Sequence, residues 1–268
     1  MTTEKEMSFL DHLEELRWHL VRAVAAVGIL TVIALVSKEF VFGTLILGPS
    51  RTDFITYQML CKLSEVTCIQ DLPFIIQSRK ITGQFTMHIA ASITVGLIAA
   101  FPYVFWEIWR FIKPGLYETE RKTASGATFF VSLLFISGVL FGYYIITPLS
   151  INFLSHYQVD PSVMNEFDIT SYVTTVTMLT LACGFMFQLP MVVLFLSRVG
   201  LVTPELMRHF RRHAMVVILA LAAFLTPPDI ISQFLISLPL FFLYEISIRI
   251  SARVARKRER ELRELGVI

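Results

Sequence analysis

Long apolar stretches alternate with polar segments along most of this chain, which is typical of a helical membrane protein. Six stretches are apolar enough for us to interpret them as membrane-spanning helices. They lie at residues 21–37, 85–112, 127–148, 171–196, 214–226 and 230–248. A helix needs roughly 20 residues to cross a bilayer core, so the last two are predicted to be short. The pattern therefore predicts an all-α membrane protein with six transmembrane helices in a single domain.

The distribution of positive charge predicts the orientation of these helices. The segment after the fourth span contains a group of arginines, at positions 198, 208, 211 and 212, whereas the segment after the third span, residues 149–170, has acidic residues but no Lys or Arg. Cytoplasmic loops carry the excess of Lys and Arg. We therefore expect both termini to be cytoplasmic, with residues 38–84 as an extracytoplasmic loop and 249–268 as a cytoplasmic tail.

Composition supports this class and excludes several others. The 268 residues are 55% hydrophobic and 16% charged, with a mean hydropathy of +0.66, which is too apolar for a soluble domain of this length. The N-terminus is acidic and amphipathic, unlike a cleaved signal peptide, so we expect it to be retained. CxxC, HExxH, GxSxG and Gly-rich phosphate motifs are missing from the sequence. We predict neither enzymatic activity nor a cofactor, a metal ion or a nucleic-acid partner.

The cytoplasmic segment 1–19 is predicted to contain a short amphipathic helix, at residues 8–19, that lies on the membrane surface. Asp11 and Glu15 are one helical turn apart in it, either as part of a binding site or as a solvated face. His12, Glu15 and His19 also have a helical metal-ligand spacing, but three mixed ligands on one exposed helix are too weak a signal to predict a metal site.

The stretch FPYVFWEIWRFIKPGLYETERK, residues 101–122, contains more charge than the end of a membrane helix requires. Glu107 and Arg110 lie among aromatic residues, and two carboxylates, Glu118 and Glu120, follow a Lys-Pro-Gly break. A helix that meets water needs aromatic anchors and a stop, but not these acids. We interpret the stretch as a candidate working surface. Glu107 is expected to pair with Arg110 at interface depth.

Other polar residues occur inside or beside the predicted spans. Gln188, just before Pro190, is either an interhelical hydrogen-bonding group or part of a site. Asp229 follows a Pro-Pro turn and has the position of a helix N-cap. Glu245 is expected to pair with Arg249, four residues later.

Cys61 and Cys68 lie close together in the 38–84 loop. If this loop is extracytoplasmic, they can form a disulfide; the alternative is two free thiols packed as small apolar groups.

Three motifs, SFLDHLEELR, FPYVFWEIWRFIKPGLYETERK and LTPPDIISQ, occur in this order around the spans. With them the chain resembles the TatC family, the six-span receptor subunit of the twin-arginine protein translocase. The resemblance implies recognition of paired-arginine signal peptides on the cytoplasmic side and export of folded proteins driven by the proton-motive force. It also implies single-span partners, TatA and TatB, self-association in a larger complex, and a bacterial inner membrane.

The resemblance assigns signal-peptide binding to Glu15 and Arg17 in the first motif and to Phe111 and Glu120 in the second. Two guanidinium groups need carboxylates in a partly desolvated site, which Glu15 and Glu120 would supply. Arg17 cannot bind arginine directly, so we expect it to orient the carboxylates or the surface helix.

Pro49 and Asp229 match a proline and an acid of the family, whereas Gln188 occupies a position where many relatives carry glutamate. Gln188 cannot titrate, so we expect it to form hydrogen bonds to a partner or signal-peptide helix. The short last two helices would then be docking surfaces for partner spans. The alternative function is a proton-coupled secondary transporter of a small solute, with Glu107, Gln188 or Asp229 as its coupling site.

Overall fold

The computed structural model describes residues 9–63, 68–69, 71–112, 126–225 and 230–264, and most of these are helical. The α-helices are α1 (Phe9–Val36), α2 (Ile55–Leu63), α3 (Gly83–Ile112), α4 (Ala127–Phe141), α5 (Thr147–His156), α6 (Ile169–Met186), α7 (Leu189–Val199), α8 (Pro204–His209), α9 (Arg211–Leu225) and α10 (Ile230–Glu264). One π-helical segment, Glu39–Ile46, follows α1, and a second, Gly142–Ile146, joins α4 to α5. A short 3₁₀ turn (Gly48–Ser50) and two strands, β1 (Ile75–Gln77) and β2 (Glu166–Asp168), complete the described elements.

Within the described residues, five helical stretches are long and apolar enough to cross a membrane: Leu13–Val36, Gly83–Ile112, Thr128–His156, Ile169–Ser197 and Gln233–Arg256. The remaining predicted span corresponds to α9, which has 15 residues. At 1.5 Å per residue α9 is about 22 Å long, less than the roughly 30 Å of a bilayer core. The fifth helix is therefore as short as the sequence predicts, whereas α10 continues without a break through the predicted tail helix.

Helix α1 is one continuous helix of 28 residues. The sequence predicts a surface helix separate from the first span, and that division is wrong for the described residues. The segment around His19 and Leu20 contains neither glycine nor proline, so nothing in it interrupts the backbone hydrogen bonds. The acidic motif near the N-terminus is consequently carried rigidly by the first span.

The strands β1 and β2 pair in parallel, with Ile75 opposite Glu166 and Gln77 opposite Asp168. The rings of Phe74 and Phe167 pack beside them with centroids 4.7 Å apart. This small sheet was not predicted. It places the segments that precede α3 and α6 on the same side of the bundle, which we call the loop side, and Glu15 lies at the opposite end of α1.

Close approach of helices positions α1 against α3. A Cβ atom built on Gly96 of α3 would lie 2.4 Å from Thr31 Oγ1 and 2.7 Å from Thr31 N. Small residues allow helix backbones to approach this closely in membranes, where packing and interhelical hydrogen bonds drive helix association. Glycine at position 96 thus sets the spacing between the two helices that carry most of the described site residues.

At the other end of the chain, α8 packs against α10. Thr203 caps α8 by accepting a hydrogen bond from Leu206 N at 3.2 Å, and Pro204 is its first residue, as the sequence predicts.

The expected Glu245–Arg249 pair is wrong: Glu245 Oε2 instead lies 2.5 Å from the Arg211 guanidinium. A partner on the neighbouring α9 reaches this carboxylate.

Candidate functional site

A buried carboxylate joins α1 to α3 at the end of the bundle away from the loop side. Glu107 Oε2 lies 2.5 Å from His19 Nδ1, and the Tyr103 hydroxyl donates to Glu107 Oε1 at 2.8 Å. Only 2% of the Glu107 side chain and 8% of the His19 side chain is exposed. Burial of a charge is costly unless it is paired and hydrogen-bonded, and both oxygens of Glu107 meet this condition.

The expected pairing of Glu107 with Arg110 is therefore wrong. Tyr103 and Glu107 are four residues apart and lie on the same face of α3. Arg110 is exposed, and its guanidinium carbon lies 5.5 Å from the centre of the Trp106 ring. The side chain of Arg110 thus makes a cation–π contact on the surface while Glu107 faces α1.

Glu15 lies one turn before His19 on α1. Its Oε1 atom is 4.0 Å from His19 Nε2, and 40% of the side chain is exposed. The carboxylate is thus half-buried beside the Glu107 pair and remains open to solvent on its other side. A group with these properties can accept a cationic ligand in a partly desolvated setting.

Arg17 and Phe111 are placed differently from each other. The Arg17 guanidinium lies over the neighbouring Trp18 ring at 5.6 Å, and its position is about 200° around the helix from Glu15, at 100° per residue. The Phe111 ring packs edge-on against His19 with centroids 6.1 Å apart. The structure thus brings Glu15 and Phe111 together around His19 and directs Arg17 to another face of α1.

Glu120 and Asp229 lie outside the described residues, as does the whole stretch 113–125 that follows α3. Helix α3 ends at Ile112, one residue after Phe111. The described part of α3 therefore ends beside the cluster formed by Glu15, His19, Glu107, Tyr103 and Phe111. We call these five residues the α1–α3 polar cluster.

Pro49 belongs to the opposite end of the first span. It is buried in a short 3₁₀ turn, and its carbonyl oxygen lies 2.9 Å from the hydroxyl of Tyr57. The same hydroxyl lies 2.9 Å from the carbonyl oxygen of Pro148, and burial raises the Tyr57 pKa above its ordinary value. Pro49 is thus part of the packing that attaches α2 to the start of α5.

Gln188 lies between α6 and α7, where the fourth predicted span is interrupted. Its side-chain Nε2 donates to the Val131 carbonyl oxygen at 3.1 Å, as an interhelical hydrogen bond would. Its Oε1 is buried and has no hydrogen-bond partner among the described residues. The Gln188 amide thus links its own segment to α4 through one hydrogen bond, and its oxygen remains available as an acceptor.

On the loop side, the sulfur atoms of Cys61 and Cys68 lie 2.02 Å apart in a disulfide. The third cysteine, Cys183, is free and buried in α6. Among the described residues no group of three or more His, Cys, Asp or Glu side chains has a geometry that could hold a metal ion.

His19 and Tyr103 are the members of the cluster to which sequence reasoning assigned no role in the site. His19 follows Glu15 by four positions and Tyr103 precedes Glu107 by four. This spacing places each residue on the same helix face as its acidic neighbour, and it is the signal in the sequence that the two residues belong to the site. Neither spacing reveals that the two faces meet.

Comparison with known proteins gives a consistent result. The family described as Sec-independent protein translocase protein (TatC) matches residues 11–239. A TatC protein of Blattabacterium sp. subsp. Periplaneta americana is 38% identical over 266 residues, covering 96% of this chain and 100% of the relative. A TatC protein of Halalkalibacterium halodurans is 35% identical, covering 95% of this chain and 92% of the relative.

Two solved structures of a twin arginine translocase receptor, TatC, have the same fold. One is 29% identical with a TM-score of 0.68 and covers 91% of this chain and 99% of its own. The other, in the detergent DDM, is 29% identical with a TM-score of 0.71 and covers 90% and 99%.

Fold and relatives together define the class as a multi-pass membrane subunit of a Sec-independent protein translocase, which works with other subunits of that system. The chain belongs to the TatC family, as its three motifs predicted, and is a component of the twin-arginine translocase. The secondary-transporter interpretation is not favoured by these relationships.

Proposed function

We propose that this subunit binds the arginine pair of twin-arginine signal peptides on the cytoplasmic side of the membrane, with Glu15 and Glu120 as the carboxylates that receive it. The observation that carries the proposal is the half-buried Glu15 carboxylate, which lies beside the same His19 ring as Phe111, near the end of α3, and Glu120 follows α3 in the chain. A guanidinium group forms strong, paired hydrogen bonds with a carboxylate in such a setting.

Phe111 contributes an aromatic wall to this site. Its ring is half-buried and packs edge-on against His19, so it excludes water from the side of the site that faces α3. Arg17 has no role as a direct ligand, because it carries the same charge as the peptide arginines. Its stacking on Trp18 supports a role in holding the surface of α1 near the entrance of the site.

Orientation follows from the charge distribution. Arginines 208, 211 and 212 lie in or beside α8 and α9, at the same end of the bundle as Glu15 by the alternation of the spans, and the tail of α10 adds further arginines. Since cytoplasmic loops carry the positive charge, both termini and the α1–α3 polar cluster are cytoplasmic. The location that fits is the inner membrane of a bacterium.

Partner helices would dock elsewhere on the bundle. Gln188 retains a buried acceptor in its kinked helix, and α9 is too short to cover a bilayer core, so both suit contact with single-span TatA-like and TatB-like proteins or a second copy of the chain. Pro49 supports this assembly from the loop side. Asp229, which lies between α9 and α10 in the sequence, acts in the later, energy-dependent steps driven by the proton-motive force.

The test is site-specific photocrosslinking from position 120, and separately from position 15, to a signal peptide whose arginine pair is intact or changed to lysines. Crosslinks are expected only with the arginine pair. Glu15→Ala and Glu120→Ala are each expected to block export while the protein remains in the membrane. Glu14→Ala is the matched control, since Glu14 is exposed and immediately precedes Glu15. Normal export in both single variants would overturn the assignment.

The Asp229→Asn variant tests whether Asp229 acts after the signal peptide has bound. Asp229→Asn is expected to retain crosslinking to the signal peptide and to impair export. Loss of peptide binding in this variant would show that the residue acts in recognition instead.

A further inference from the structure

The bond between His19 and Glu107 is more specific than packing of α1 on α3 requires. An ionised carboxylate only accepts hydrogen bonds, so His19 Nδ1 is the donor in the 2.5 Å contact with Glu107 Oε2. Tyr103 holds the other oxygen of Glu107 at 2.8 Å. The carboxylate is therefore fixed from both sides, and it fixes in turn the plane and rotation of the His19 ring.

The second nitrogen of the ring consequently has a defined direction. His19 Nε2 lies 4.0 Å from Glu15 Oε1, which is too long for a hydrogen bond, and Phe111 packs edge-on against the ring. The ring thus lies between two carboxylates, one buried and one 40% exposed. A carboxylate has about four acceptor positions, so one oxygen of Glu15 can face His19 while the other receives a ligand.

We infer that His19 and Glu107 are positioning residues for signal-peptide binding: Glu107 orients the His19 ring, and His19 holds the Glu15 carboxylate in the direction from which the peptide arginine approaches. This inference rests on the proposed function of Glu15. Among the described residues, Arg22 on α1 and Arg110 on α3 also act electrostatically on Tyr103 or Glu107, and neither replaces the hydrogen bond between the two helices.

The experiment measures binding of a synthetic twin-arginine signal peptide to the purified full chain in detergent. Removing one partner alone, as in Glu107→Gln or His19→Leu, leaves a buried charge or polar group uncompensated and can unfold the protein. The informative variant therefore carries His19→Gln and Glu107→Gln together, which replaces the hydrogen-bonded pair by two amides of similar size. This double variant is expected to keep a near-normal melting temperature and to bind the peptide about tenfold more weakly.

A double-mutant cycle with Glu15→Gln separates positioning from general damage. If the amide pair acts through Glu15, its tenfold effect disappears once Glu15→Gln is already present, because the misplaced carboxylate is gone. The Glu14→Gln background is the matched control and should leave the effect of the amide pair intact. A peptide with lysines in place of the arginines should bind weakly to every variant.

Each outcome is decisive. Normal binding by Glu15→Gln overturns the assignment of Glu15 in the proposed function, and the positioning role with it. Weak binding by Glu15→Gln together with wild-type binding by the amide pair overturns only the positioning role, as does a loss from the amide pair that is equal with and without Glu15→Gln. A loss that occurs only while Glu15 is present supports it.

Discussion

His19 Nδ1 lies 2.5 Å from Glu107 Oε2 although the two residues are 88 positions apart in the chain. The contact connects the first transmembrane helix to the second at the end where the acidic motif of α1 meets water. It joins two segments that are far apart in the sequence into one structural unit, and Glu15 lies 4.0 Å from the His19 ring.

The close approach of α1 and α3 predicts the effect of a single added methyl group. Gly96→Ala places a Cβ where Thr31 Oγ1 is only 2.4 Å away, so we expect a loss of stability of about 1–3 kcal/mol from overpacking. The measurement is the melting temperature of the purified protein in detergent. Gly28→Ala is the control, since nothing lies within 4 Å of a Cβ at that position. Equal melting temperatures of the two variants would contradict the tight contact.

The disulfide on the loop side predicts the number of reactive thiols. The chain has 3 cysteines, so alkylation of the denatured protein should label one without reductant, Cys183, and all of them after reduction. Mass spectrometry of the intact chain gives the count. Cys61→Ser is the control and should show two labels without reductant. Complete labelling of the wild-type chain without reductant would mean that Cys61 and Cys68 are free thiols.

The N-cap of α6 predicts a pH-dependent stability. Asp168 accepts a hydrogen bond from Thr170 N at 3.2 Å, and this backbone donor holds the Asp168 pKa below its usual value. The stabilisation is complete above the pKa of the unfolded state, about 4, and is lost as the pH falls through the lower pKa of the folded state. We expect Asp168→Ala to lower the melting temperature at pH 7 and the deficit to shrink in acid.

Asp168→Asn separates the cap from the charge. Asparagine is an equally good N-cap, so this variant should melt near the wild-type temperature at pH 7 and lose the pH dependence that Asp168 contributes. If Asp168→Ala melts like the wild type at neutral pH, the cap does not stabilise α6.

The contact between Arg211 and Glu245 predicts a small effect. Their side chains are 50% and 42% exposed, so solvent screening limits the pair to about 1 kcal/mol or less even at 2.5 Å. Arg211→Gln should lower the melting temperature only slightly, and added salt should reduce the difference further. Arg212→Gln, one position along and exposed, is the control. A large, salt-independent loss would show that the pair is effectively desolvated.

Helix boundaries could be predicted wherever a local signal marks them. Thr203 followed by Pro204 has the residue types of an N-cap and a first helical position, and the structure begins α8 there. The shortness of α9 was equally visible, because apolar length is counted directly along the chain. The two strands were missed because three residues are too few to show an alternating pattern, and their pairing depends on a distant segment.

Partners of charged residues were predicted less well, for one physical reason. Helical spacing in the sequence predicts a partner three or four positions away on the same helix, which is Arg110 for Glu107 and Arg249 for Glu245. In the structure both carboxylates face another helix, where His19 and Arg211 supply the partner. Helical spacing gives the direction of a side chain but not which helix lies opposite, so such contacts follow only from the tertiary arrangement.

The pairing of β1 with β2 has a consequence for how the protein is made. Helices α3, α4 and α5 lie between the two strands in the chain. When β1 emerges from the ribosome and reaches the loop side, its partner has not been synthesised, and two further spans must enter the membrane before β2 follows. The strand pair can therefore form only late in insertion, and its formation reports that the second and third spans have reached their final orientation.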